Sequence, residues 1–346
     1  MTVTHRSFAI MLAVAVSLLL IFILSHDDVV GHQHTHGYHQ SKAHAQPTNT
    51  DLITPIPEAV NVNKQYAKIG WLLFKDPQLS SNGRVSCESC HHLASNGAEP
   101  TAVSTGVEGK GTRNSITVFN TSLNYRFFWD GRANSLNDQI DEPIHSNLEM
   151  NSDWPSITEY VANSPKYVQL FTEQKLEANE QTIKSMLVEF MSALVTPNAP
   201  FDRYLQGEDI ALSAQQIDGW ELFQKHGCVR CHRGTNIGGG MVMKFGLYGL
   251  RFQGEERSTD TGRHMRSNKP EDMYIFRVAS LRNVANTAPY FHDGQTNNLE
   301  DAIQIMAKSQ LGLTLDAEEL NAISAFLNSL SAERPAILKE FENESY

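Results

Sequence analysis

Two pentads carry the chemistry of this chain: Cys87-Glu88-Ser89-Cys90-His91 and Cys228-Val229-Arg230-Cys231-His232. Together they use all 4 cysteines. Two thiols three positions apart can add across the vinyl groups of a haem, and the adjacent histidine then becomes the proximal ligand of its iron. Paired C-x-x-C hooks also bind zinc, but such hooks usually stand ~12–20 residues apart. These stand in opposite halves of the chain, each with its own histidine. The pattern points to two covalently bound haem c groups, and it leaves no cysteine for a disulfide.

A chain of 346 residues is long enough for two domains with separate cores, and one pentad per half suggests that division. Lys+Arg 28 against Asp+Glu 39 gives a formal charge of −11. Haem propionates would add to it. That balance argues against nucleic acid as a partner and suits a small, partly basic redox protein. Covalent haem attachment implies the bacterial periplasm or an equivalent space.

The amino terminus agrees with export. Arg6 precedes Phe8–Leu24, an apolar run broken by Ser17 alone. As a helix this run would span about 25 Å, near the lower limit for a bilayer. Ser25-His26-Asp27-Asp28 offers no cleavage site, and the Ala-x-Ala at Ala43–Ala45 comes too late for one. Residues 1–25 therefore read as an uncleaved transmembrane anchor, with a cleaved signal peptide as the alternative. Arg6 on the cytoplasmic side would put the rest in the periplasm. Residues 26–57 form a histidine-rich linker, with His32, His34 and His36 alternating. It reads as a solvated tether in preference to a metal-binding tract, because flexible histidines lack a second shell to orient them.

The elements that must position the pentads are mainly α-helical. Apolar residues mixed with Lys64, Gln65 and Lys68 predict a helix over Lys64–Phe74. Ile183, Met186, Leu187, Phe190, Met191 and Leu194 predict an amphipathic helix over Thr182–Leu194, stopped by Pro197 and Pro200. Phe201–Asp209 reads as a connection. Ser213–Lys225 opens on a capping serine and runs into the second pentad. An amphipathic helix followed by C-x-x-C-H thus occurs twice, which implies two cytochrome c-like haem domains with long loops, 58–205 and 206–346. Gly234–Gly254 is such a loop, and helices over Leu299–Met306 and Asp316–Leu330 complete the second unit. Ser331–Tyr346 has no assigned role.

Several longer strings carry a resemblance. DPQLSSNGRVSCESCH (76–91), RFFWDGRANSL (126–136), NLEM (147–150), RVASLRNVANTAPYFHDG (277–294) and IMAKSQLG (305–312) resemble those of bacterial di-haem cytochrome c peroxidases, in the same order, from about Asp51 to Leu330. A related group oxidises protein tryptophans with two haems and shares many of these strings. The resemblance implies that the first haem, held by Cys87, Cys90 and His91, meets hydrogen peroxide. Glu149 would relay the peroxide proton and Gln139 would hold the peroxide by hydrogen bonding. Many family members carry a histidine that caps this iron at rest; Val107 stands in its place here. This predicts an open, resting-active site, with His92 and His145 as the other groups near enough in sequence to cap it.

The second haem, held by Cys228, Cys231 and His232, would receive electrons, with Met306 as second axial ligand raising its potential. The tryptophan-oxidising relatives carry a tyrosine in that role. Trp129 would lie between the haems, and Asn114 with the carbonyls of Thr287 and Pro289 would hold a calcium ion. The implied activity is reduction of hydrogen peroxide with electrons from a small cytochrome c or cupredoxin, in a protein that is often a homodimer. Two rivals remain: oxidation of a partner protein, and a non-enzymatic di-haem carrier or sensor.

Overall fold

The computed structural model describes residues 52–248 and 259–344. The expected anchor and the histidines of the tether lie outside these residues. Among the described residues no helix is long and apolar enough to cross a membrane.

The architecture is mainly helical. In chain order the helices are α1 (Lys64–Phe74), α2 (Leu136–His145), α3 (Trp154–Asn163), α4 (Pro165–Glu173), α5 (Glu180–Ala193), α6 (Pro200–Leu205), α7 (Ala214–Lys225), α8 (His264–Ser267), α9 (Leu299–Met306), α10 (Ala317–Asn328) and α11 (Ala336–Asn343). Caps explain several starts. The Asn63 side chain accepts from the N–H groups of Gln65 and Tyr66 at 3.0 and 3.2 Å. Ser213 accepts from the Gln216 N–H while Gln216 accepts from the Ser213 N–H, a reciprocal capping box.

One joint is built twice. Helix α1 crosses α5 at Gly70, where a methyl group would overlap the Met186 carbonyl and come within 2.8 Å of Phe190 Cβ. Helix α7 crosses α10 at Gly219, where a methyl group would overlap the Ala322 carbonyl and come within 2.9 Å of Phe326 Cβ. Glycine is required at both because only a bare Cα lets the backbones approach so closely. Each glycine helix then leads into a pentad.

Residues 49–346 form one compact unit with two hydrophobic cores. The leading core surrounds α1 and α5, with Phe74 and Phe190 edge to face at 5.3 Å. The trailing core surrounds Phe201, Trp220, Phe223 and Phe326, with ring separations of 5.0–5.1 Å. Such aromatic pairs add about 0.5–1.5 kcal/mol each beyond their buried area. The chain ends do not keep to their own halves. Phe201, expected with the leading domain, sits at the centre of the trailing core, and Ile53 joins it there. Leu338 and Phe341 of α11 join the leading core, where Phe341 lies 5.7 Å from Trp71. The tail is thus a strap, held further by Arg334 donating to the Leu93 carbonyl at 2.5 Å.

A short antiparallel ribbon, β1 (Val242–Lys244) and β2 (Ile275–Arg277), had no signal in the sequence pattern. It pairs Val242 with Arg277, and the Arg277 N–H donates to the Trp129 carbonyl at 2.6 Å.

Candidate functional site

Each pentad opens onto its own cavity. The leading cavity, about 520 Å³, is lined by Cys87, Cys90 and His91, with Trp129, Gln139 and Glu149. The trailing cavity, about 270 Å³, is lined by Cys228, Cys231, His232 and Met306, and shares Trp129. Each pentad is folded as a single tight turn, the histidine N–H donating to the first cysteine's carbonyl at 3.0 Å. The helix before each pentad presses a phenylalanine toward that histidine. Phe74 lies 6.3 Å from His91, and Phe223 lies 6.3 Å from His232.

Both imidazoles are kept neutral. Burial lowers the His91 pKa, and it pushes His232 down to about 4. His232 Nδ1 lies 3.1 Å from the Ala279 carbonyl. A proton on Nδ1 satisfies that bond and leaves the Nε2 lone pair free for a metal. The thiols are neutral as well, because burial raises Cys87 to about 12 and Cys90 and Cys228 to about 11. Zinc needs several converging thiolates or imidazoles. No group of three or more such ligands converges among the described residues. A large cofactor attached at two thiols, with one imidazole as axial ligand, fits both cavities; zinc fits neither.

A family model for di-haem cytochrome c peroxidase matches residues 64–210. The cytochrome c551 peroxidase of Pseudomonas aeruginosa is 40% identical over 298 residues, covering 83% of this chain and 86% of the relative. The cytochrome c551 peroxidase of Nitrosomonas europaea is 36% identical, covering 82% of this chain and 85% of the relative. Among solved structures, a MauG-like protein associated with microbial copper homeostasis superposes with a TM-score of 0.68 at 25% identity, covering 81% of this chain and 93% of that one. The chain belongs to the di-haem cytochrome c peroxidase family. It is accordingly a haem oxidoreductase of the peroxidase class.

In this peroxidase Glu149 is the one carboxylate among the described residues lining either cavity. It stands on a loop that leaves α2 at Ser146 and folds back, with the Glu149 N–H donating to the Ser146 carbonyl at 3.0 Å. The next residue ties the loop to α2, the Met150 N–H donating to Pro143 at 3.0 Å. Burial raises the Glu149 pKa, and nearby Arg132 only partly offsets it. Gln139 lies on α2 itself, which Ser135 caps by accepting from the Asp138 N–H at 3.1 Å.

The strap of loop carrying Val107 is bound to the Glu149 loop. The Val107 N–H donates to the Glu149 carbonyl at 2.9 Å, and the Glu108 N–H donates to Asn147 at 3.0 Å. The Glu108 carboxylate accepts from Asn147 and Asn151 at 2.9 and 3.0 Å. Neither His92 nor His145 is among the residues lining the leading cavity. His145 instead places Nδ1 2.7 Å from the Asp141 carbonyl at the end of α2.

Trp129 is fixed at both ends, its indole N–H donating to the Asn114 carbonyl at 2.9 Å and its own carbonyl accepting from Arg277. Asn114, Thr287 and Pro289 all line the trailing cavity, and the Asn114 amide donates to the Thr101 carbonyl at 3.0 Å. Met306 ends α9, immediately before a π-helical turn over Ala307–Leu311. Tyr290 also lines this cavity, although no tyrosine stands near Met306 in sequence.

Sequence reading missed an ionic frame around the leading cavity. Arg132 grips Glu142 through two bonds of 2.6 Å and Asp130 at 2.7 and 2.9 Å. Arg113 joins Asp130 at 2.7 Å to Asp260 at 2.7 and 2.9 Å. Burial alone would raise the Asp130 pKa, but the two arginines hold it below the usual carboxylate range. Met265 and Arg266 also reach this cavity, from the far half of the sequence. Arg132 and Asp130 stand together in the string 126–136, but the frame closes through Arg113 on Asp260, a partner remote in sequence.

Proposed function

We propose that this peroxidase reduces hydrogen peroxide to water in the leading cavity, with electrons from a small periplasmic cytochrome c or cupredoxin entering at the trailing one. The observation that carries this reading is a carboxylate: among the described residues Glu149 shares the leading cavity with His91 and Gln139, while those lining the trailing cavity include Met306 and no carboxylate. Haem held by Cys87, Cys90 and His91 would supply a redox-active iron. Glu149 takes the proton from one peroxide oxygen and returns it to the other, so the O–O bond breaks with water as leaving group. Its raised pKa suits that exchange near neutrality. Gln139 orients the peroxide by hydrogen bonding. Two electrons and two protons complete the conversion of H2O2 to two waters.

In the trailing cavity His232 and Met306 would both hold the haem iron and so keep peroxide away. Trp129, rigidly held and lining both cavities, shortens the path between them. Asn114, with the carbonyls of Thr287 and Pro289, holds calcium, whose preference is for neutral and anionic oxygen. Phe8–Leu24 directs the chain to the periplasm, as an anchor or as a signal. Replacing Glu149 with glutamine and following peroxide-dependent oxidation of a reduced cytochrome c tests the assignment. Loss of turnover with both haems retained is the expected result; unchanged turnover would contradict it.

A second reading, oxidation of a partner protein, is favoured by Val107, which cannot ligate iron. The tryptophan-oxidising relatives also lack the capping histidine. Peroxide consumption without oxidation of any small reduced donor would favour that reading.

A further inference from the structure

Five arginines line the two cavities among the described residues, and all but one of these side chains have an acidic partner. Arg113 pairs with Asp130 and Asp260, and Arg132 pairs with Asp130 and Glu142. Arg266 pairs with Glu142, and Arg282 pairs with Asp202 at 2.6 Å. The remaining one is Arg277, which lines both cavities. It is 4% exposed, its Nε makes no hydrogen bond, and no acid among the described residues faces it. Desolvation alone pushes its pKa down to about 10. An unpaired buried guanidinium is among the costliest groups a protein can hold. Sequence does not explain its retention at this spot, since an apolar residue would pack on β2 without that cost.

The backbone at Arg277 is fixed by the ribbon and by Trp129. Its N–H is bonded to the Trp129 carbonyl, and its register partner on the ribbon is Val242. The guanidinium is therefore held on the wall common to both cavities, beside the indole that also lines both. What each cavity is built to receive is a haem, and every haem carries two carboxylates. Carboxylates and guanidinium make the strongest paired hydrogen bonds available to a side chain.

We propose that Arg277 is the counter-ion of haem propionate carboxylates at the wall between the two cavities, and thereby sets the reduction potentials of the haems it contacts. The inference rests on the presence of the two haems and not on the peroxide chemistry. A fixed cation favours the ferrous state, because reduction removes a positive charge from its neighbourhood.

The test is a spectroelectrochemical titration of the holoprotein at pH 8, with no peroxide present, in Arg277→Gln and Arg277→Lys. Arg277→Gln is expected to lower the reduction equilibrium constant of at least one haem about tenfold, a shift of 59 mV for a one-electron couple. Arg277→Lys, which keeps the charge, is expected to shift it less than Arg277→Gln does. Potentials in Arg277→Gln equal to those of the parent for both haems would overturn the proposal. If Arg277→Gln does not accumulate, an experimental structure of the parent holoprotein decides the question instead. It is expected to show a guanidinium nitrogen about 2.7–2.9 Å from a propionate oxygen. A guanidinium turned away from every propionate overturns the proposal. Because no turnover is read, loss of peroxidase activity in any variant does not bear on the outcome.

Discussion

The two cavities share a scaffold and differ in their linings. Each is approached by a helix with a crossing glycine, Gly70 or Gly219, and each ends in a pentad whose histidine faces a phenylalanine at 6.3 Å. The leading cavity then receives Glu149, Gln139 and the charged frame of Arg113, Asp130 and Arg132. The trailing one receives Met306, Tyr290 and a largely aliphatic and aromatic wall. The scaffold therefore holds the cofactor, and the segments laid over it decide what that cofactor meets. On the proposed function, reactivity is a property of the loop after α2, which brings Glu149 to the leading cavity, and inertness a property of the end of α9, which brings Met306 to the trailing one.

The largest effect expected from breaking this contrast comes from Glu149→Gln. Removing the only carboxylate among the described residues of the leading cavity should cut peroxide turnover about 10²–10⁴-fold, the usual worth of a positioned proton carrier. Steady-state oxidation of a reduced cytochrome c checks it, with haem content measured alongside. Met306→Ala attacks the other side. Opening the trailing site should lower the potential there and slow donor oxidation roughly tenfold, since a thioether ligand raises the potential of the iron it binds. Stopped-flow mixing with reduced donor would show it.

The acid limb of the pH profile sharpens the same contrast. Glu149 must be ionised to accept a proton, and its pKa is raised by burial. Turnover should therefore be full above that pKa and be lost as the pH falls through it, at a higher pH than an ordinary carboxylate near 4.3 would give. A plot of kcat/KM against pH checks this, and the limb should be absent in the residual activity of Glu149→Gln.

How much of this was legible in the sequence follows physical lines. The pentads, the helices α1, α5, α7, α9 and α10, and the joint lining by Glu149 and Gln139 rest on local spacing or on contiguous strings. The crossing glycines, the ribbon and the strap do not. Gly70 and Gly219 look like ordinary weak points of a helix until the facing carbonyls are known. Strands of three residues are too short for alternation to register, so β2 and the place of Arg277 on it are not legible in the pattern. Phe341 looked like a tail residue because the ring it packs on, Trp71, lies at the other end of the chain.

The smallest effects test the shared scaffold. Gly70→Ala and Gly219→Ala should each destabilise the holoprotein by about 1–3 kcal/mol, as other overpacked joints do. The two should behave alike in thermal unfolding, because both methyl groups meet a backbone carbonyl and a phenylalanine Cβ. A large loss at one and none at the other would show that the two joints are not equivalent.

Unequal coordination of the two irons underlies all of these expectations. Low-temperature electron paramagnetic resonance of the untreated ferric holoprotein reads it directly. One high-spin signal from the His91 side and one low-spin signal from the His232–Met306 side is the expected spectrum. Two low-spin signals of equal intensity would contradict an open leading site.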